Sequence, residues 1–94
     1  MPERTVVNEA TKPTVAIALD YQAGQTPRVV AKGQGSLAET ILATARANGV
    51  PIEENPLLAE ALSTIELDAE IPEQLYQAVA EVIAFVIRTR DRLG

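Results

Sequence analysis

The chain has 94 residues, 47% of them apolar, and a formal net charge of -5, which fits one small domain and excludes wholesale disorder. It contains no cysteine and no histidine, which removes disulfides, thiol nucleophiles, imidazole bases and the usual zinc ligands together; an enzyme here would have to run on carboxylates, hydroxyls and backbone groups. No Lys or Arg stands between Arg46 and Arg88, whereas Glu53, Glu54, Glu60, Glu66, Asp68, Glu70, Glu73 and Glu81 all do, a block that repels phosphate backbones, argues against nucleic-acid binding and reads as solvated helix faces.

Residues 1–12 are polar around the pair Val6 and Val7 and read as a loose arm or a very short strand. The stretch MPERTVVNEATK lacks the apolar centre of a signal peptide, and no segment approaches the roughly 20 apolar residues of a membrane span, so a soluble, cytoplasmic chain is expected. In TVAIALDY, Val15, Ile17 and Leu19 alternate with small Ala16 and Ala18, the pattern of a strand buried chiefly on one face. QAGQTP supplies turn residues and RVVAK a second strand, so the two should pair as an antiparallel hairpin with a long loop.

Gly33-Gln34-Gly35 leads to Ser36, where SLAE has the form of a capping box, Ser36 as N-cap and Glu39 at the third helical position. Leu37, Ala38, Ile41, Leu42 and Ala45 share one face of that helix, and Asn48-Gly49 closes it. VPI then reads as a short strand which, reached through a helical crossover, should lie parallel to RVVAK. Asn55-Pro56 is an N-cap followed by proline at the first helical position, with Leu57, Leu58, Ala61, Leu62 and Ile65 as the apolar face. ELDAEI is a connection.

Pro72 opens the last helix, striped by Leu75, Tyr76, Val79, Val82, Ile83 and Val86 and widened by Ala80, Ala84, Phe85 and Ile87. Arg88, Arg90 and Arg92 suit its C-terminal dipole. The expectation is an α/β (α+β) fold, a small mixed sheet of about three to four strands surrounded by about three helices. Residues 1–12 would form the arm, 13–88 the domain and 89–94 a tail.

Three features invite a chemical reading. Gly33-Gln34-Gly35 before a helix resembles an anion cradle, but there is no third glycine at the required spacing and no Lys-Ser/Thr pair, and Glu39 would sit beside the anion. An asparagine carboxamide such as that of Asn55 can attack its own carbonyl and cut the chain before proline, against the simpler reading of a helix cap. Pairs such as Glu53 with Glu54 have no apolar pocket or complementary acid evident in the sequence. None of these amounts to an active site, and no cofactor is implied.

AIALDY, PRVVAKGQG, NGVPI, LLAEAL and EIPEQLYQAVAEVIAFV, in this order, resemble the cytoplasmic C-terminal domain of FlhB, in the FlhB/HrpN/YscU/SpaS family of type III export switch proteins. The resemblance runs from about residue 14 to 87. It implies a compact domain that full-length members attach to a membrane domain and a linker helix, and it makes this chain look like a stand-alone version at the cytoplasmic side of the export apparatus. Family members carry an Asn-Pro-Thr-His motif before the strand equivalent to AIALDY, and its asparagine cyclises to cut the chain. Counting back from Tyr21 places that motif on Thr11, Lys12, Pro13 and Thr14. Threonine has no carboxamide nitrogen, so no self-cleavage is expected, and Asn8 is followed by glutamate rather than proline. The family strand before the motif, represented by RTVVN, is expected to be short or missing.

Recognition is what the resemblance leaves. It implies binding of early, rod- and hook-type flagellar export substrates, of the cytoplasmic domain of FlhA, and of a hook-length ruler. The surface would lie between the hairpin loop and the last helix. Pro27 matches the family's loop proline, Ala80 and Ile83 match small and branched helix positions, and Thr26 stands where a small apolar residue is usual. Ala80 and Ile83 are also readable simply as core. A regulator or remnant of the export switch that binds no substrate directly is the remaining alternative.

Overall fold

The computed structural model describes residues 3–9, 14–22 and 24–93, and the side chains of all of these except residues 87 and 89–93. Its strands are β1 (Glu3–Glu9), β2 (Val15–Tyr21), β3 (Arg28–Gln34) and β4 (Ile52–Glu54). Its helices are α1 (Ser36–Ala47), α2 (Pro56–Leu62) and α3 (Tyr76–Leu93), the last preceded by a 3-10 turn at Glu73–Leu75. The sheet order is β3-β2-β1-β4. β1 and β3 are antiparallel to β2, and β4 is parallel to β1, so the mixed sheet and α+β class expected from the sequence are present.

Alternation along β2 sorts the core into two layers. Ile17 and Leu19 join Val7, Val15 and Val29 under α2 and α3, whose Leu58, Ala59, Leu62, Val79 and Val82 close that side together with Ile71. Ala16 joins Val6 under α1, which contributes Ala38, Leu42 and Ala45. β2 is therefore buried on both faces rather than chiefly on one, the second face being small enough for a helix to settle closely on it.

The N-terminal segment is a seven-residue strand in the interior of the sheet, not a loose arm or a missing strand. Its polar Thr5 and Asn8 are buried with it: Thr5 Oγ1 donates to the Pro51 carbonyl at 3.3 Å. The same placement corrects the expected pairing of the segment after α1. β4 runs in the direction of β3 but bonds to β1, through Val6 N–H to the Pro51 carbonyl and Asn55 N–H to the Asn8 carbonyl, both at 2.9 Å.

β3 carries an extra residue. Leu19 faces Val29 and Ala18 faces Ala31, which leaves Val30 without a partner across the strand and moves every later side chain to the opposite face. Lys32 thereby comes opposite Ile17, on the α2 side, and Gly33 comes opposite Ala16, on the α1 side. A Cβ on Gly33 would lie 2.5 Å from Leu37 Cγ, so the absence of a side chain there is what lets the first turn of α1 lie on the strand.

The start of α1 differs from the capping box expected at Ser36. Gly35 occupies the cap position at φ 60, with no side-chain cap. Its N–H donates to the Thr14 carbonyl at 2.8 Å and its carbonyl accepts from Glu39 N–H at 3.1 Å. That tie to Thr14 turns the chain one residue early, in a conformation that glycine tolerates.

Asn55 does cap α2, its Oδ1 accepting from Leu58 N–H at 3.1 Å, with Pro56 following. The buried face of α2 is Leu58, Ala59 and Leu62, whereas Leu57, expected on it, is 82% exposed. On α3, Val79, Val82 and Val86 are buried and Tyr76 and Phe85 are largely exposed. α3 continues to Leu93 through the residues expected to be a tail.

The Asn55 cap satisfies a first-turn amide that has no acceptor within the helix. Asn55→Ala should lower the unfolding free energy by about 1 kcal/mol in a urea titration, and Asn55→Asp should keep most of it.

Candidate functional site

The β2–β3 hairpin is closed by a turn in which Gln25 N–H donates to the Gln22 carbonyl at 3.0 Å, after which Thr26 and Pro27 lead into β3 half-buried. Pro27 accepts from Ile71 N–H at 3.0 Å. Ile71 belongs to the segment linking α2 to α3 and is itself part of the core. α3 then passes beside this edge, presenting Tyr76, Val79, Ala80, Ile83 and Ala84, spaced so that they share one side of the helix.

Between these elements lies an open groove of about 730 Å³. Thr26 and Pro27 line it from the hairpin side and Ala80 and Ile83 from α3, with the buried Ile71 and Val79 at the base and Tyr21 and Tyr76 also in its lining. All four residues named from the sequence are thus brought to one concave surface. Ala80 is exposed and so lies outside the core, whereas Ile83 is half-buried, packing on the core and lining the groove together. Among the described residues that line it, Glu3 alone carries a carboxylate. Apolar walls with a few polar groups at the rim suit a short apolar peptide segment better than an ion or a phosphate.

Tyr21, Ile71 and Tyr76 were not legible as groove residues. Tyr76 reads as part of the buried stripe of α3, and Ile71 as the end of a featureless connection. The available signal was that EIPEQLY brings an isolated apolar residue and a tyrosine to the two sides of a helix-starting proline.

Of the four positions matched to the cleavage motif, Thr11, Lys12 and Pro13 lie outside the described residues; Thr14 leads into β2 and supplies the carbonyl bonded by Gly35. The Asn55 side chain is engaged in its helix cap. Among the described residues no three acidic side chains are grouped so as to hold a metal ion, and no helix is long and apolar enough to cross a membrane.

Residues 4–86 match the profile of the FlhB HrpN YscU SpaS Family. The chain belongs to this family. YlqH of Bacillus subtilis, an uncharacterized protein, is 39% identical over 88 residues, which span 94% of this chain and 90% of YlqH. The flagellar biosynthetic protein FlhB of Aquifex aeolicus is 43% identical over 97 residues, 99% of this chain but 27% of that FlhB. The crystal structure of the cytoplasmic domain of FlhB from Shewanella putrefaciens superposes with a TM-score of 0.85 at 34% identity, covering 95% of this chain and 73% of that one. The FlhB-family fold, with its link to flagellar and type III protein export, is therefore shared by essentially the whole chain, which spans about a quarter of the Aquifex FlhB and most of YlqH.

On α3, Ala80 lines the groove without joining the core, whereas Val79 and Ile83 belong to both. Ala80→Glu should change unfolding free energy by no more than about 0.5 kcal/mol, whereas Val79→Ala, one residue earlier and fully buried, should cost about 2 kcal/mol. Paired chemical-denaturation curves measure both.

Proposed function

We propose that this chain is a non-enzymatic protein-binding module of the flagellar type III export system, and that its groove takes short apolar segments of early export substrates of the rod and hook type. The observation that carries the reading is the convergence of Thr26, Pro27, Ala80 and Ile83 on one apolar groove of an FlhB-family domain. Such a groove gains affinity by covering Tyr76, Ala80 and Ile83 while leaving rim groups solvated. The cytoplasmic domain of FlhA and a hook-length ruler are the further partners of this reading. Both would meet the chain on the cytoplasmic side of the export apparatus.

Titrating the ¹⁵N-labelled protein with N-terminal peptides of rod and hook proteins should shift the amides of Thr26, Ala80 and Ile83 saturably. Ile83→Asp, which places a charge in the apolar wall, should weaken binding at least tenfold, about 1.4 kcal/mol. Silence at high peptide excess would overturn substrate binding. Shifts produced instead by the FlhA domain would reassign the groove to that partner, and silence with both would favour a regulator or remnant.

The same reading holds that the chain stays whole. With threonine at position 11 no carboxamide is present to form the cyclic imide that cuts the backbone, and the Asn55 carboxamide is committed to its cap. After prolonged incubation at neutral pH, mass spectrometry in denaturing acid should find one species at the full mass. Two fragments meeting within residues 10–14, or between Asn55 and Pro56, would make the protein autoprocessing.

A further inference from the structure

Ile71, at the base of the groove, belongs to a strap, residues 63–72, which has little structure of its own. Its holds are on β3. Val29 donates to the Ala69 carbonyl at 3.0 Å and accepts from Asp68 N–H at 2.7 Å, and Ile71 N–H donates to the Pro27 carbonyl. Arg28 and Glu70 form an antiparallel bridge. Beyond Val30 the ladder between strap and strand stops, and a side chain takes over: Lys32 Nζ donates to the Ser63 carbonyl at 3.3 Å and to the Ile65 carbonyl at 2.7 Å.

Those two carbonyls follow directly on the last turn of α2, where the dipole favours a cation and the backbone lacks helical partners. An ammonium with three N–H donors can serve both acceptors at once. The strap is thus fastened to one strand at its beginning by Lys32 and at its end by Pro27, and only the second fastening touches the groove.

We propose that Lys32 is a positioning residue for the groove: by fixing where the strap leaves α2, it sets the register in which the strap lies on β3 and hence where Ile71 stands against Pro27. Between the two fastenings Asp68 holds a left-handed conformation, φ 68, which costs a non-glycine residue energy and persists only when its surroundings demand it. Releasing Lys32 lets that turn relax, and the strap slides. The inference rests on the groove being the binding site only for its consequence on binding; the fastening itself is tested separately.

The experiment is native-state hydrogen exchange on the wild type, K32M and K32R, with the peptide titration above repeated on each. K32M should lose at least tenfold in protection at the Asp68 and Ile71 amides while the β1–β2 amides keep theirs, and it should bind peptide at least fivefold more weakly. K32R, which retains charge and donors, should restore protection and binding. A uniform fall in protection across all strands would mean that Lys32 only stabilises the fold, and unchanged protection at Asp68 and Ile71 would mean that it fastens nothing; either overturns the proposal. If K32M does not fold, K32Q is judged by the same criteria. A wild type that binds no peptide fails the functional reading alone, and the exchange pattern still decides the fastening.

Discussion

Because Leu19 faces Val29 while Ala18 faces Ala31, the residue between them has no cross-strand partner, and the side-chain alternation of β3 reverses at Val30. Before that point the strand offers Val29 to the α2–α3 core and its outward backbone to the strap. After it, the strand offers Lys32 to the end of α2 and Gly33 to α1. Without the extra residue Ala31 would face Ile17 and Lys32 would face Ala16, placing a charged side chain under α1, where Leu37 now lies on Gly33. One irregularity in a seven-residue strand therefore lets a helix pack closely on one side of the sheet and a strap be held on the other.

The groove is a product of the same arrangement. Its lining comes from segments far apart in the chain, the hairpin turn and α3, and its base includes Ile71, which reaches it only because the strap runs along β3. Binding surfaces assembled in this way inherit their shape from backbone register more than from the side chains at the rim. Thr26 lies on the rim; Lys32 and the unpaired Val30 act on the base through the course of β3 and the strap.

What the sequence disclosed, and what it did not, divides along the range of the interactions. The Asn55 cap and Pro56 are local, and local chemistry decides them. The hairpin is legible because alternating residues flank turn formers. β1 was legible only as a loose arm or a very short strand because its burial does not come from its own residues: Glu3, Arg4, Thr5, Asn8 and Glu9 leave only Val6 and Val7 to advertise a strand, and it is β2 on one side and β4 on the other that bury Thr5 and Asn8. The pairing of β4 was misassigned for the same reason, since a strand not recognised cannot be chosen as a neighbour. At Ser36 the local signal was present but lost to a tertiary one, the bond from Gly35 to Thr14. For the groove, the residues were legible by resemblance, and the tyrosines and Ile71 only once the backbone was in place.

The interior position of β1 has one more consequence. It is held by β2 along its full length and by β4 along its second half, with Val6 and Val7 locked into opposite layers of the core, yet the segment before β2 is its only covalent route to the rest of the domain. The strand's place in the fold is fixed by the contacts with β2, with β4 and with the two core layers. Removing β1 would therefore open both core layers at once and leave β2 and β4 without the strand between them.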